Sequence, residues 1–245
     1  MNDLLLEQLE ITTRPTIVAN DPLVDGQEPA KRNLRHDIGV GAEVPLLVYS
    51  GAVAPQRGIQ TALAGLRDLP GVHLVLIANP KSESVQNLVS SAPDLQDRFH
   101  VVPYVPNSEL VSYLSTADIG LIPILHRLNH EISLITKFGE YMQANLPIIV
   151  SDVKTMAAEV VRLGNGEVFI AEDVADFVRA ARLILDQPAK YRAAYTPEVL
   201  SERSWERQAE ILLATYNEIA KATPHARVHM PFLITEPIPI EESAK

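Results

Sequence analysis

The feature that most constrains this chain is the recurrence of short, unbroken apolar runs. They lie at Pro45 to Ser50 (PLLVYS), Val72 to Ala78 (VHLVLIA), Phe99 to Val105 (FHVVPYV), Asp118 to Ile124 (DIGLIPI), Pro147 to Ser151 (PIIVS) and Glu167 to Ala171 (EVFIA). Runs of this length, rich in Val, Ile and Leu, read as strands, and their lack of alternation marks strands covered on both faces. The stretches between them carry helical spacing, as in Ile59, Leu63 and Leu66 or in Leu110, Tyr113 and Leu114. Strand and helix thus alternate repeatedly, and right-handed crossovers convert that alternation into a doubly wound parallel sheet. Such sheets bind ligands beyond the carboxyl ends of their strands, so that edge is where function is expected.

All 11 glycines lie at or before Gly166, and beyond it the pattern turns helical, over Asp173 to Asp186 and again from Ser204 to around Ala222. The expected fold class is therefore α/β: a Rossmann-like doubly wound parallel sheet of about six strands with a helical C-terminal annex. Residues 1–44 read as a lead-in or linker segment with one possible short strand at Thr16 to Ala19, and residues 45–222 as the domain proper. The last stretch, residues 223–245, carries four prolines and no amphipathic period, which predicts an extended or disordered tail.

Charge narrows the partners. With 21 Lys and Arg against 31 Asp and Glu, the net charge of −10 has the wrong sign for coating phosphate backbones, so no nucleic-acid partner is expected. The absence of cysteine excludes disulfides, thiolate zinc sites and cysteine nucleophiles. No apolar stretch is long enough to span a bilayer, and the start MNDLLLEQLEITTRP lacks the basic opening of a secretory signal. The expected location is cytoplasmic.

Two segments could carry chemistry. In YSGAVAPQRGIQTALAGL, Gly51 stands at the carboxyl end of the first strand and Arg57-Gly58 opens the next helix. A glycine lets backbone approach a phosphate, a helix start offers free N–H groups and an arginine adds a fork of donors. The competing reading is a plain turn with a solvated arginine, since neither a Walker loop nor GxGxxG is present. In HRLNHEISLITKFGEYMQANLPIIVSD, residues 126–152, Lys137 and Glu140 share a helix face. That spacing commonly means a surface ion pair of little consequence. Here Leu134, Phe138 and Met142 fall at helical spacing and would pack the helix down, turning the polar pair toward the ligand edge. His126 and His130 lack an HExxH arrangement and further nearby ligands, so no metal site is expected.

In this order the segments resemble the C-terminal, nucleotide-sugar-binding half of a family 4 (group 1) retaining glycosyltransferase of the GT-B fold, over about residues 16 to 220. The most specific piece is K-x-x-E-Y-M-x-A-x-L-P-I-I-V-S from Lys137, followed by the strand-Gly-x(5)-Arg-Gly element at Gly51. The resemblance implies that Glu140 holds the ribose hydroxyls of the donor and that Arg57 binds its diphosphate in the loop of Gly51. It implies that Lys137 adds a second cation, so that Arg57 and Lys137 serve as the catalytic charges. Tyr104 and Val105 would lie against the nucleobase, and Ser133 and Leu134 would complete the donor contacts. Two positions depart from the family pattern. Ile132 stands where many members have a sugar-contacting glutamate, with Glu131 beside it, and Ala52 stands where a further diphosphate-binding arginine is frequent.

The implied function is a donor domain binding a nucleotide-diphosphate sugar for retaining, metal-independent transfer to a glycan or lipid-linked acceptor, as in polysaccharide biosynthesis. The sugar nucleotide is substrate and no cofactor is expected. Such enzymes carry an acceptor-binding domain ahead of this one, which has no counterpart before Pro45. The resemblance therefore implies a glycosyltransferase that is incomplete without a separate acceptor domain, or one that self-associates. The alternative is a non-catalytic nucleotide-sugar-binding or scaffolding subunit; a sugar-nucleotide epimerase fits the K-x-x-E-Y-M segment less well. In the family the last helix returns to the first domain, so the apolar face of Trp205, Leu212 and Tyr216 is expected to lack cover unless the tail residues Met230, Phe232, Leu233 and Ile234 supply it.

Overall fold

The structure, a computed structural model, describes residues 14–222; the expectations for the terminal tail lie outside that range. Each apolar run becomes one strand: β1 (Leu46–Ser50), β2 (His73–Ile77), β3 (Phe99–Val102), β4 (Ile119–Ile122), β5 (Ile148–Ser151) and β6 (Gly166–Phe169). In chain order the helices are α1 (Leu34–Ile38), α2 (Ile59–Leu66), α3 (Glu83–Ser90), α4 (Asn107–Leu114), α5 (Leu128–Ile132), α6 (Thr136–Gln143), α7 (Lys154–Leu163), α8 (Val174–Asp186), α9 (Pro188–Arg192), α10 (Pro197–Glu202) and α11 (Trp205–Ala222). The strands form one parallel sheet in the order β3-β2-β1-β4-β5-β6.

The unbroken apolar pattern follows from two cores. Leu47, Tyr49, Leu74, Leu76, Leu121 and Ile149 enter the core beneath α2 and α8, while Leu46, Val48, Val75, Ile77, Ile122, Ile148 and Val150 enter the one beneath α4, α6 and α7. Alternate side chains of one strand serve opposite layers, so neither parity can be polar. Strands stop short of their apolar runs where proline intervenes. β3 ends before Pro103 and β4 before Pro123, because proline has no N–H to give the ladder. Tyr104 and Val105 are thereby released from the sheet into a loop at its carboxyl edge.

The order reverses between β1 and β4, and there the ladder is incomplete. β1 pairs with β2 along all its residues, but with β4 only at Leu47↔Ile119 and Val48↔Gly120. Tyr141 of α6 fills the gap beyond. Its hydroxyl accepts the Ser50 N–H at 3.1 Å and lies 3.3 Å from the Val48 carbonyl and 3.4 Å from that of Leu121. Its ring lies over Gly120, where an added Cβ would stand 2.5 Å from ring carbons. At the opposite edge Asp118 accepts from Leu46 N–H (2.8 Å) and from Arg35 (2.6 Å), tying α1 to the same strand pair.

The short strand expected at Thr16 to Ala19 does not form. The lead-in runs beside α11 instead: within the segment Ala19 N–H donates to Gln208 Oε1 at 2.9 Å, and further on the N–H groups of Val24 and Asp25 donate to Glu206. The annex is helical as expected, with Asp173 accepting from Asp176 N–H to cap α8. Trp205, Leu213, Tyr216 and Ile219 of α11 are exposed, and Leu212 is half-buried. No helix among the described residues is long and apolar enough to cross a membrane.

Replacing Tyr141 with phenylalanine keeps the ring and leaves the buried Ser50 N–H without its acceptor. Tyr141→Phe is expected to lower unfolding stability by about 1–3 kcal/mol in urea melts; an unchanged midpoint would show that the hydroxyl does not close the gap.

Candidate functional site

A cleft of about 370 Å³ opens at the carboxyl edge, where β1 and β4 part. Its lining comes from five places: Ser50 and Gly51 at the end of β1, Arg57 from a 3₁₀ turn, Tyr104 and Val105 after β3, the start of α4 with Asn107, and the first two turns of α6 with Thr136, Lys137 and Glu140. Six of the eight residues expected to bind the donor thus line one cleft. Ser133 and Leu134 do not; they line a neighbouring cavity of about 510 Å³ together with Ile132 and the lead-in.

Gly51, expected to let backbone approach a phosphate, also makes room for a side chain. Its N–H is spent on the Ile77 carbonyl at 2.9 Å. Its value is room: with φ at 123°, an added Cβ would lie 2.6 Å from Lys137 Nζ, so the glycine clears the space in which the ammonium sits. The same ammonium lies 5.1 Å from the centre of the Tyr49 ring. Gly58 is constrained twice, by φ of 66° and by the Pro123 carbonyl 1.8 Å from where a Cβ would stand. It lets the Pro55–Arg57 turn sit on the chain leaving β4 and present Arg57 to the cleft.

The surface ion pair does not form. Among the described residues Lys137, Glu140 and Arg57 join no salt bridge, and the Arg57 guanidinium makes no hydrogen bond. Lys137 and Glu140 are half-buried. Burial, then the nearby Arg57 charge, pulls the Lys137 ammonium down to about 8 against the opposing pull of Glu140. Burial pushes the Glu140 carboxyl up, with Lys137 opposing. Helices α4 and α6 both begin at the cleft, and neither N-cap, Pro106 or Ile135, supplies a side-chain hydrogen bond. Two crowded cations and two uncapped helix starts form a place prepared for negative charge.

Asn107 and Thr136 escaped the sequence reading. Their signal was positional: each is the first residue of a helix that follows a carboxyl-edge loop. His126 and His130 are engaged elsewhere. His126 bonds Glu131 and Asp152, and His130 Nδ1 lies 2.6 Å from the Leu125 carbonyl.

Residues 44–187 match the family model described as glycosyl transferases group 1, and the chain belongs to that family. The GT-B resemblance is shared by solved structures. Among relatives, a D-inositol 3-phosphate glycosyltransferase of Xylanimonas cellulosilytica is 26% identical over 212 residues, covering 83% of this chain and 49% of that one. A glycosyltransferase from Rickettsia africae superposes with a TM-score of 0.71 at 15% identity, over 89% of this chain and 61% of that one. HepE from Anabaena, solved in complex with UDP-glucose, superposes with a TM-score of 0.63 at 14% identity, over 76% of this chain and 51% of that one. At such identities the structural likenesses speak for fold alone. The chain spans about half the length of the curated relatives it matches.

The electrostatics of the empty cleft can be read directly. In protein with carbon-labelled lysine, the Lys137 side chain should titrate near pH 8 by NMR. Arg57→Gln should move that titration upward by removing a like charge, and Glu140→Gln should move it downward. A Lys137 titration at the ordinary lysine value would contradict the burial and crowding described.

Proposed function

We propose that the cleft binds the nucleoside diphosphate of a nucleotide sugar, as the donor site of a retaining glycosyltransferase that works in the cytoplasm on a glycan or lipid-linked acceptor of the kind used in polysaccharide assembly. The observation that carries this reading is the pair of cations, Arg57 and Lys137, which join no salt bridge among the described residues and are set against two uncapped helix starts. In such a transfer the bond from the sugar C1 to the diphosphate oxygen breaks, and the acceptor oxygen bonds to C1 on the same face while its hydroxyl proton passes to the departing diphosphate. Negative charge gathers on the departing diphosphate, and fixed positive charge in a cleft stabilises it without reorganisation. Arg57 would grip the diphosphate as a fork and Lys137 as a point charge. Glu140, one helical turn deeper, would accept from the ribose hydroxyls, with the base against Tyr104 and Val105.

In this reading the two side chains supply the charge, the nucleotide sugar is substrate and no cofactor takes part. The acceptor would be held by a further domain, in the same polypeptide or another, or by a second copy. That the HepE structure holds UDP-glucose supports a sugar nucleotide as ligand. One observation favours the second reading, a nucleotide-sugar-binding subunit without transfer. Ile132, at the position of the family's sugar-contacting glutamate, lines the neighbouring cavity and brings no carboxylate to the cleft.

Calorimetry against UDP, GDP and ADP should show binding of at least one, weakened by about 1–3 kcal/mol in Glu140→Ala. A diphosphate beside Lys137 restores the charged form, so binding near pH 8 should be accompanied by proton uptake, read from buffers of different ionisation enthalpy. No binding of any of the three would sink the proposal. Sugar transfer in the presence of an acceptor domain would exclude the second reading.

A further inference from the structure

His126 stands on the chain leaving β4 with both ring nitrogens against carboxylates. Nδ1 lies 2.5 Å from Glu131 Oε1 and Nε2 lies 2.9 Å from Asp152 Oδ1. An ionised carboxylate only accepts, so the two bonds coexist only when both nitrogens carry protons and the ring is an imidazolium. The carboxylates are anchored in turn. Glu131 Oε2 accepts the Lys154 N–H at 2.9 Å at the start of α7, and Asp152 Oδ1 accepts the Ala171 N–H at 2.9 Å beyond β6. One charged ring therefore ties the chain leaving β4 to α5, to the end of β5 and, through Asp152, to the end of β6.

That chain is also the seat of Arg57. Leu125, immediately before His126, donates its N–H to the Gln56 carbonyl at 3.0 Å, and Gln56 immediately precedes Arg57. Two residues earlier, the Pro123 carbonyl packs against Gly58 at the other end of the turn. The Pro55–Arg57 turn thus rests on Pro123 to Leu125, and the clamp at His126 fixes where that support ends.

We propose that His126 is a positioning residue: its imidazolium clamps the chain leaving β4 and, through Leu125 and Gln56, holds Arg57 on the cleft, so that donor affinity follows the protonation of His126. The inference rests on the reading of the cleft as a nucleoside-diphosphate site. The charged groups facing the ring are Glu131 from α5 and Asp152 from the end of β5, while Lys154 of α7 faces Glu131 and not the ring. The hydrogen bond that His126 donates to Glu131 raises the His126 pKa above its ordinary value, partial burial opposes it, and the bond to Asp152 raises it further. A folded-state value raised in this way gives a clamp that is complete below the ordinary histidine value and lost as pH rises through the raised one.

The test compares wild type, His126→Gln and His126→Arg, using whichever of UDP, GDP and ADP binds best, by calorimetry at about pH 6 and about pH 8.5. Taking the ratio of affinities at each pH cancels the titration of the phosphate and of Lys137. At the lower pH His126→Gln should bind about fivefold more weakly than wild type. At the higher pH the two should converge, while His126→Arg, charged throughout, stays tight at both. A ratio that is the same at both pH values, or His126→Arg behaving as His126→Gln does, overturns the inference and leaves the donor site standing. Melting temperatures without nucleotide report the clamp alone: the gap between wild type and His126→Gln should close over the same pH range, and a constant gap also overturns it. Absence of nucleotide binding by wild type at either pH sinks the donor reading, and the coupling to Arg57 with it.

Discussion

The separation of β1 from β4 is the constraint on which the rest of the molecule depends. A doubly wound sheet must reverse its strand order somewhere, and at that point the crossovers lead away from each other and leave a crevice at the carboxyl edge. Here the crevice begins after Val48↔Gly120, and one side chain, Tyr141, occupies its floor. The tyrosine accepts the N–H that β4 does not reach and packs its ring over the only residue type that leaves space for it, Gly120. Floor and rim belong to the same helix. Phe138, Tyr141 and Met142 of α6 are fully buried in the core, and Lys137 and Glu140 lie between them on the side that faces the cleft.

This arrangement lets hydrophobic burial hold an electrostatically unfavourable site. A buried Phe, Tyr or Met side chain contributes on the order of 1.5–3 kcal/mol, and three of them fix α6. The ammonium of Lys137 gains no partner carboxylate for its partial loss of water, and Arg57 crowds it with like charge. Left on a flexible loop, such cations would turn to solvent. Held by the core, they stay where an anion can satisfy them together, and an anion beside Lys137 would favour its charged form against the burial and like charge that oppose it. The site and the fold are therefore not separable layers: the side chains that close the sheet also set the geometry of the charge.

What the residues disclosed in advance, and what they did not, follows from the range of each interaction. The six strands were legible because burial on both faces writes an apolar residue at every position, and proline set their ends at Pro103 and Pro123. Lys137 and Glu140 were legible as one helix face beside Phe138 and Met142, whereas Leu134, expected on the same helix, lies in the loop before it. The sequence spacing did not show that the pair would fail to bond, because the competitor for Lys137 is the space above Gly51, supplied by a strand that lies far away in sequence. The strand expected at Thr16 to Ala19 misled for a similar reason. Its apolar pattern is real, but the group that takes the Ala19 N–H, Gln208, sits on α11, nearly the whole chain away. Asn107 and Thr136 could have been found only by treating each helix start at the carboxyl edge as a donor of N–H groups.

The position beside Ile132 completes the account of the site. Glu131 adjoins Ile132, the position at which the family resemblance implies a sugar-contacting glutamate, and a shift of one residue would bring a carboxylate there. The structure closes that route, because both of its oxygens are engaged, one with His126 and the other with the Lys154 N–H. A carboxylate that caps one helix and pairs with an imidazolium cannot turn to a hydroxyl without leaving those groups unsatisfied. Ile132 and Leu134 instead line the neighbouring cavity with Ile17 and Val18 of the lead-in. The charged side chains of the cleft, Arg57, Lys137 and Glu140, thus stand apart from Ile132, whose cavity offers mainly apolar surface.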